Sequence, residues 1–138
     1  MAIYSRKPET GQAIAGDFGA AWHPLREFGK TAVDLVVQAT SVGMSPHEDE
    51  SPCEIGRLKT TNGTRPCLVF DLVYNPLKTK FLAEAAELGF QTIEGLEMLL
   101  AQAALQFQFW TGQEMPMDVA SDAAVRGLET QAKANNRQ

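Results

Sequence analysis

From Cys67 to Tyr74 the chain is apolar or aromatic at every position but Asp71, and the run stops at Asn75-Pro76. A near-continuous apolar run of this length predicts a strand over Cys67–Val73 that is central in a parallel sheet and covered on both faces. Asp34–Ala39 (DLVVQA) is a second clear strand by its β-branched content. Shorter apolar stretches at Ala2–Tyr4, Ala20–Trp22 and Phe90–Ile93 predict further strands.

Between them the apolar period lengthens to that of a helix. Pro8–Phe18 reads as a helix, with Pro8 suited to its first turn and Gly19 just past its end. Thr79–Leu88 is a helix with the stripe Phe81, Leu82, Ala85 and Leu88, and Gly89 ends it. Gly95–Trp110 is the longest helix, with Leu96, Leu99, Leu100, Ala103 and Phe107 on one face. A helical turn falls near Pro24–Phe28, and a last helix runs from about Val119 to Ala134. Residues 43–65 read as a long surface loop holding a short helix.

The alternation of strand and helix predicts an α/β fold, a Rossmann-like parallel sheet with flanking helices. Residues 1–134 form one domain in this reading, and 135–138 a polar tail. The glycine-rich turn that follows the first strand of dinucleotide-binding domains is not found, because Gly16 and Gly19 sit at a helix end and not at a helix start. The expectation is therefore a domain truncated at the N-terminus, with its first strand and glycine-rich turn missing. A sheet lacking a strand has an open edge, which allows a homodimer through strand pairing.

Composition narrows the function classes. With a net charge of −5 and a pI near 5.0, the chain lacks the basic stripe that nucleic-acid binding demands. No apolar run reaches the roughly 18–20 residues that span a bilayer. Cys53 and Cys67 form no CxxC pair, and they read as reduced thiols of a cytoplasmic protein, Cys67 buried in its strand. His47-Glu48-Asp49-Glu50 is a solvated acidic loop and not a metal site, because its ligands are consecutive and no second histidine follows at helical spacing. His23 has no evident partner for nucleophilic catalysis.

Ser5-Arg6-Lys7 follows the first short strand, where nucleotide-binding folds meet the adenosine ribose. A hydroxyl and two cations there suit a 2′-phosphate, and thus NADP, better than an acidic residue would. The same residues also fit solvated surface cations, and the residues alone leave both open. Thr40 and Ser41 follow the strand DLVVQA, where ligands of open α/β sheets bind, while Gly43 either lets backbone approach a ligand or only makes a turn. Tyr74 ends a strand, with its ring on apolar neighbours and its hydroxyl free for a ligand or only for packing. Pro76 forces Asn75 into an extended conformation and stops the strand. Asp71, inside the apolar run, must find donors and reads as a structural acceptor. Gly95, Met98 and Gln102 form one line beside the leucine stripe, a close-approach point, a soft contact and an amide.

Taken in order, DLVVQATSVGMSP, LVFDLVYNPLKTKFLAEAAELGF and TIEGLEMLLAQAALQFQFWTG resemble the cofactor-binding domain of shikimate dehydrogenase, over about Ala2 to about Pro116. The YNP-x-x-T segment, then G-x-x-M-L-x-x-Q and WTG, carry the likeness. The resemblance implies NADPH-dependent reduction of 3-dehydroshikimate to shikimate in aromatic amino-acid biosynthesis. It places Ser5, Arg6 and Lys7 at the adenosine 2′-phosphate. Only Arg6 keeps the family's frequent Asn-Arg-Thr pattern there. It places Thr40 and Ser41 beside the cofactor, Leu72 and Gly95 at its nicotinamide end with Met98 on the same helix line, and Tyr74 and Gln102 at the substrate. No catalytic residue is carried over, because the family's catalytic lysine and aspartate lie in an N-terminal domain that this sequence does not show. Some relatives fuse a dehydroquinate dehydratase to the dehydrogenase, so the chain also fits the C-terminal piece of such a protein. Two other readings stay open: a non-catalytic nucleotide-binding or regulatory module, and a quinate/shikimate dehydrogenase preferring NAD, against which Arg6 and Lys7 argue.

Overall fold

A computed structural model describes residues 1–60 and 67–135. In chain order the elements are β1 (Ala2–Ser5), α1 (Pro8–Asp17), β2 (Ala21–Pro24), β3 (Ala32–Val33), β4 (Leu35–Gln38), β5 (Lys59–Thr60) and β6 (Leu68–Asp71). Then follow α2 (Lys80–Glu87), β7 (Gln91–Ile93), α3 (Gly95–Thr111) and α4 (Met117–Asn135). Short 3-10 turns cover Leu25–Glu27 and Ile55–Arg57.

Every strand pairing among the described residues is parallel, as the βα alternation predicts. The strands fall into separate groups. β4, β6 and β7 form one sheet with β6 in the centre, β1 pairs with β2, and β3 pairs with β5. The β3–β5 ribbon was not foreseen: its C-terminal partner, Lys59–Thr60, lies inside the stretch read as loop, and two-residue strands leave almost no periodic signal.

The core forms where α2 meets the three-stranded sheet. Phe81, Leu82 and Ala85 pack with Val69, Phe28 and Ile55, and Tyr4 and Val36 rest on the same cluster. Burying Phe81 and Leu82 contributes roughly 1.5–3 kcal/mol each. Leu88, expected on that stripe, is instead exposed, because α2 ends at Glu87 and Leu88 is its C-cap. On α3 only Gly95 and Leu96 are fully buried, and Leu99, expected on the buried face, is exposed. Leu100, Ala103 and Phe107 are half-buried. The strand expected over Cys67–Val73 is shorter, and its Leu68 and Phe70 are only half-buried, so cover on both faces is incomplete.

The helix ends follow local chemistry. Pro8 opens α1. Thr79 caps α2, its hydroxyl accepting from Leu82 N at 3.3 Å. Glu94 and Glu97 form a reciprocal capping box that starts α3 at Gly95. The helix expected to begin near Val119 starts two residues earlier and runs through Asn135, while positions 136–138 of the expected tail lie outside the described residues.

Candidate functional site

Beyond the carboxyl ends of β4 and β6 the chain opens a cleft of about 480 Å³. Ala39, Thr40, Ser41, Met44 and Ser45 line one side, and Leu72, Val73, Tyr74 and Asn75 the other, with Gln131 of α4 added. This is where open α/β sheets bind ligands. Four residues singled out in the sequence, Thr40, Ser41, Leu72 and Tyr74, thus meet in one place.

The first wall is held by Gln38, a buried amide at the end of β4. Its Nε2 donates to the carbonyls of Thr40 (3.2 Å) and Val42 (3.0 Å), and its Oε1 accepts from Thr40 N. Thr40 Oγ1 in turn accepts from Val42 N at 3.2 Å, so the hydroxyl shapes the turn and still has its proton to donate. Gly43 is buried with φ +83°, which makes the turn reading of this glycine the structural one.

The second wall answers why a strand ends in Asp-Leu-Val-Tyr-Asn-Pro. Asp71 and Thr79 are both 0% exposed. Asp71 Oδ1 accepts from Val73 N at 2.9 Å, and Oδ2 accepts from Thr79 Oγ1 at 2.7 Å. The carboxylate therefore ties the strand end to the cap of α2 and closes the loop between them. Burial pushes the Asp71 carboxyl upward, and the bonds from Thr79 and Val73 oppose that rise. The two walls are joined where Ser45 N donates to the carbonyl of Asn75 at 3.0 Å. Tyr74 stands at the rim, 45% exposed.

Gly95 sits directly behind this wall. A Cβ there would lie 2.5 Å from the carbonyl oxygen of Val73 and 2.7 Å from that of Leu72, so α3 begins in backbone contact with the cleft loop. Met98 and Gln102 lie further along α3, half-buried and exposed, and neither lines the cleft.

Ser5, Arg6 and Lys7 lie elsewhere, between β1 and α1. Ser5 Oγ accepts from Trp22 Nε1 at 2.9 Å and donates to the carbonyl of Lys7 at 2.9 Å, so this hydroxyl secures the turn. Arg6 and Lys7 are exposed at the N-terminus of α1, and among the described residues neither makes an ion pair. A helix N-terminus with two free cations favours an anion. Sequence reasoning missed Gln131, whose place in the cleft depends on how α4 packs, and Gln38, whose amide works within its own loop.

His23 serves the fold: it stacks on Tyr4 with ring centroids 5.3 Å apart and lies 3.9 Å from Glu27. Cys53 and Cys67 are free. Burial first, then the charges of Glu84 and Glu54, push the Cys53 thiol up to about 12. Among the described residues no group of three or more His, Cys, Asp or Glu is placed to hold a metal ion, and no helix is long and apolar enough to cross a membrane.

Comparison with known proteins gives the same picture from outside. Residues 95–124 match the family model described as the shikimate 5'-dehydrogenase C-terminal domain. The chain is 39% identical over 130 residues to the shikimate dehydrogenase (NADP(+)) of Bacillus licheniformis, covering 91% of this chain and 45% of that protein. It is 34% identical over 143 residues to the enzyme of the same name from Symbiobacterium thermophilum, covering 95% and 47%. Among solved structures, shikimate 5-dehydrogenase from Thermus thermophilus, in complex with NADP(H) and shikimate, superimposes with a TM-score of 0.74 at 33% identity, covering 91% of this chain and 45% of that one. The chain spans a little under half the length of these relatives. In motif order, fold and sequence it belongs with the C-terminal, Rossmann-like domain of the shikimate dehydrogenase family.

Proposed function

We propose that this chain is the cofactor-binding part of an NADP-dependent shikimate dehydrogenase, an oxidoreductase that reduces 3-dehydroshikimate to shikimate. The observation that carries the proposal is the cleft at the ends of β4 and β6, in which Thr40, Ser41, Leu72 and Tyr74 meet. NADPH supplies the hydride when bound. The chain's own residues bind and orient. Arg6 offers a planar fork and Lys7 a point charge to the 2′-phosphate, at the positive end of α1. Ser5 holds their turn in shape through Trp22 and the Lys7 carbonyl. Thr40 and Ser41 present hydroxyls along the cofactor, and Gly95 lets α3 start close against the loop at its nicotinamide end, with Met98 one turn on. Tyr74 donates from the rim toward substrate, and Gln102, on α3 outside the cleft lining, is assigned to substrate by the family motif alone.

Asp71, the carboxylate next to the cleft residue Leu72, is enclosed by its own donors, which leaves it unsuited to general acid or base work. The 138 residues on their own are therefore inactive in this proposal, and the proton transfer comes from residues outside them. The enzyme works in the cytoplasm on small molecules, without nucleic acid or membrane.

Calorimetric titration with NADPH, repeated with NADH and with shikimate, tests the assignment. NADPH binds more tightly than NADH, and Arg6→Ala weakens NADPH at least tenfold, as loss of a charge-assisted contact of about 1.5–3 kcal/mol requires. Equal binding of NADPH and NADH, or an Arg6→Ala variant that binds NADPH unchanged, would refute the 2′-phosphate role.

A further inference from the structure

Arg6 lies in the turn between β1 and α1, and the residues on both sides of it are tied down. Ser5 Oγ has one proton and donates it to the carbonyl of Lys7 at 2.9 Å. An indole N–H only donates, so Trp22 Nε1, 2.9 Å away, takes a lone pair of the same oxygen. The Ser5 proton is thus committed to the chain, and a phosphate, which needs donors, gains none from it. The Lys7 carbonyl accepts a second bond from Gly11 N at 3.1 Å, the first bond of α1. Trp22 reaches this turn from β2, where it pairs with Ile3 of β1. One chain of bonds therefore runs from Trp22 through Ser5 and Lys7 to Gly11, around an Arg6 whose side chain stays exposed.

Gly11 shows how closely the three elements meet. It is buried within α1, where helix propensity favours alanine. A Cβ at this position would overlap both Ser5 Oγ and Trp22 Nε1. Gly16, in the same helix, has nothing within 4 Å of such a Cβ. The missing side chain at Gly11 leaves the space in which the indole–hydroxyl bond forms.

We infer that Trp22 and Gly11 are positioning residues for selectivity toward the 2′-phosphate. The indole N–H and the space over Gly11 lock Ser5, and the locked turn holds Arg6 and Lys7 ready before the ligand arrives. Both residues act through Ser5 and touch no ligand themselves. The inference rests on the reading of Arg6 and Lys7 as the 2′-phosphate contacts. Preorganisation lowers the ordering cost of binding, so its loss falls on a ligand that uses the turn and spares one that does not.

Calorimetric titration of the 138-residue chain with adenosine 2′,5′-bisphosphate and with adenosine 5′-monophosphate tests this at the adenosine end alone. The wild type binds the bisphosphate more tightly, and Arg6→Ala removes the difference. Trp22→Phe keeps an aromatic ring and loses the N–H. It weakens the bisphosphate about fivefold, as loss of one hydrogen bond implies, and leaves the monophosphate within about twofold. Gly11→Ala does the same. Adding Trp22→Phe to Ser5→Ala weakens the bisphosphate no further than Ser5→Ala alone, because the indole acts only through that hydroxyl. If the wild type shows no preference, or Arg6→Ala keeps it, the 2′-phosphate reading fails and the inference falls with it. If Arg6→Ala removes the preference while Trp22→Phe retains it, only the inference is overturned. A Trp22→Phe variant that weakens both ligands alike also overturns it, since that is the mark of a purely structural role. Should Gly11→Ala fail to fold by circular dichroism, Trp22→Phe decides the outcome alone.

Discussion

Replacing Thr79 by valine keeps its shape and removes only its hydroxyl. That hydroxyl makes two contacts in a site with no exposure to solvent: it donates to Asp71 Oδ2 at 2.7 Å and accepts from Leu82 N at 3.3 Å. A bond to a carboxylate is worth about 1.5–3 kcal/mol, and an N-cap about 1 kcal/mol. Thr79→Val should therefore cost roughly 3 kcal/mol, out of about 5–15 kcal/mol for a domain. Thr79→Ser keeps the hydroxyl and loses one methyl, for roughly 0.8 kcal/mol. Urea denaturation followed by circular dichroism measures both, with an unchanged m-value as the check on two-state behaviour. Removing the Thr79 donor raises the Asp71 carboxyl further above its already raised position, so Asp71 takes up a proton more readily in the variant. The gap between Thr79→Val and wild type should accordingly narrow as pH falls toward the carboxylate range. If the valine and serine variants are equally stable, the Asp71–Thr79 contact does not hold the cleft loop.

Gly95→Ala should destabilise by about 1–3 kcal/mol, because the new Cβ meets the carbonyls of Val73 and Leu72 and α3 must move off the cleft loop. Helix propensity alone favours alanine by about 1 kcal/mol, so a stabilised variant in the same urea assay would show that the close approach is absent. The Cys53 thiol, pushed up to about 12, should react with a disulfide reagent at about pH 8 roughly a thousandfold more slowly than a free thiol of ordinary pKa, and labelling at the peptide rate would contradict its burial. The folded chain keeps that proton where the unfolded chain loses it, so stability should fall as pH rises above about 9, and a flat pH profile of the urea midpoint up to about pH 11 would count against the shift.

The elements with local causes were legible. Pro8, Thr79 and the Glu94–Glu97 pair start their helices through contacts within a few residues, so the sequence places them to within a residue. Asp71 was legible as an acceptor, in preference to a base, because an acid inside an apolar run must find donors if it is buried. Tyr74 was expected to end the strand that Pro76 stops, but β6 ends at Asp71, where the side-chain bonds of Asp71 to Val73 and Thr79 turn the chain, and Tyr74 reaches the rim on the loop that follows. The β3–β5 ribbon was not legible, since two-residue strands acquire their identity only from the partner they meet. Gln131 was not legible either, because nothing near it in the sequence says that α4 brings it to the cleft.

By itself, then, the sequence determined the order of the longer strands and helices, where most of them begin, and the residue types available at each strand terminus, all of them consequences of short-range sterics and hydrogen bonding. Only the tertiary structure decided which of those residues share a cleft and which amide and hydroxyls brace it. Those outcomes are set by pairing between segments far apart along the chain, where the local pattern is silent about the partner.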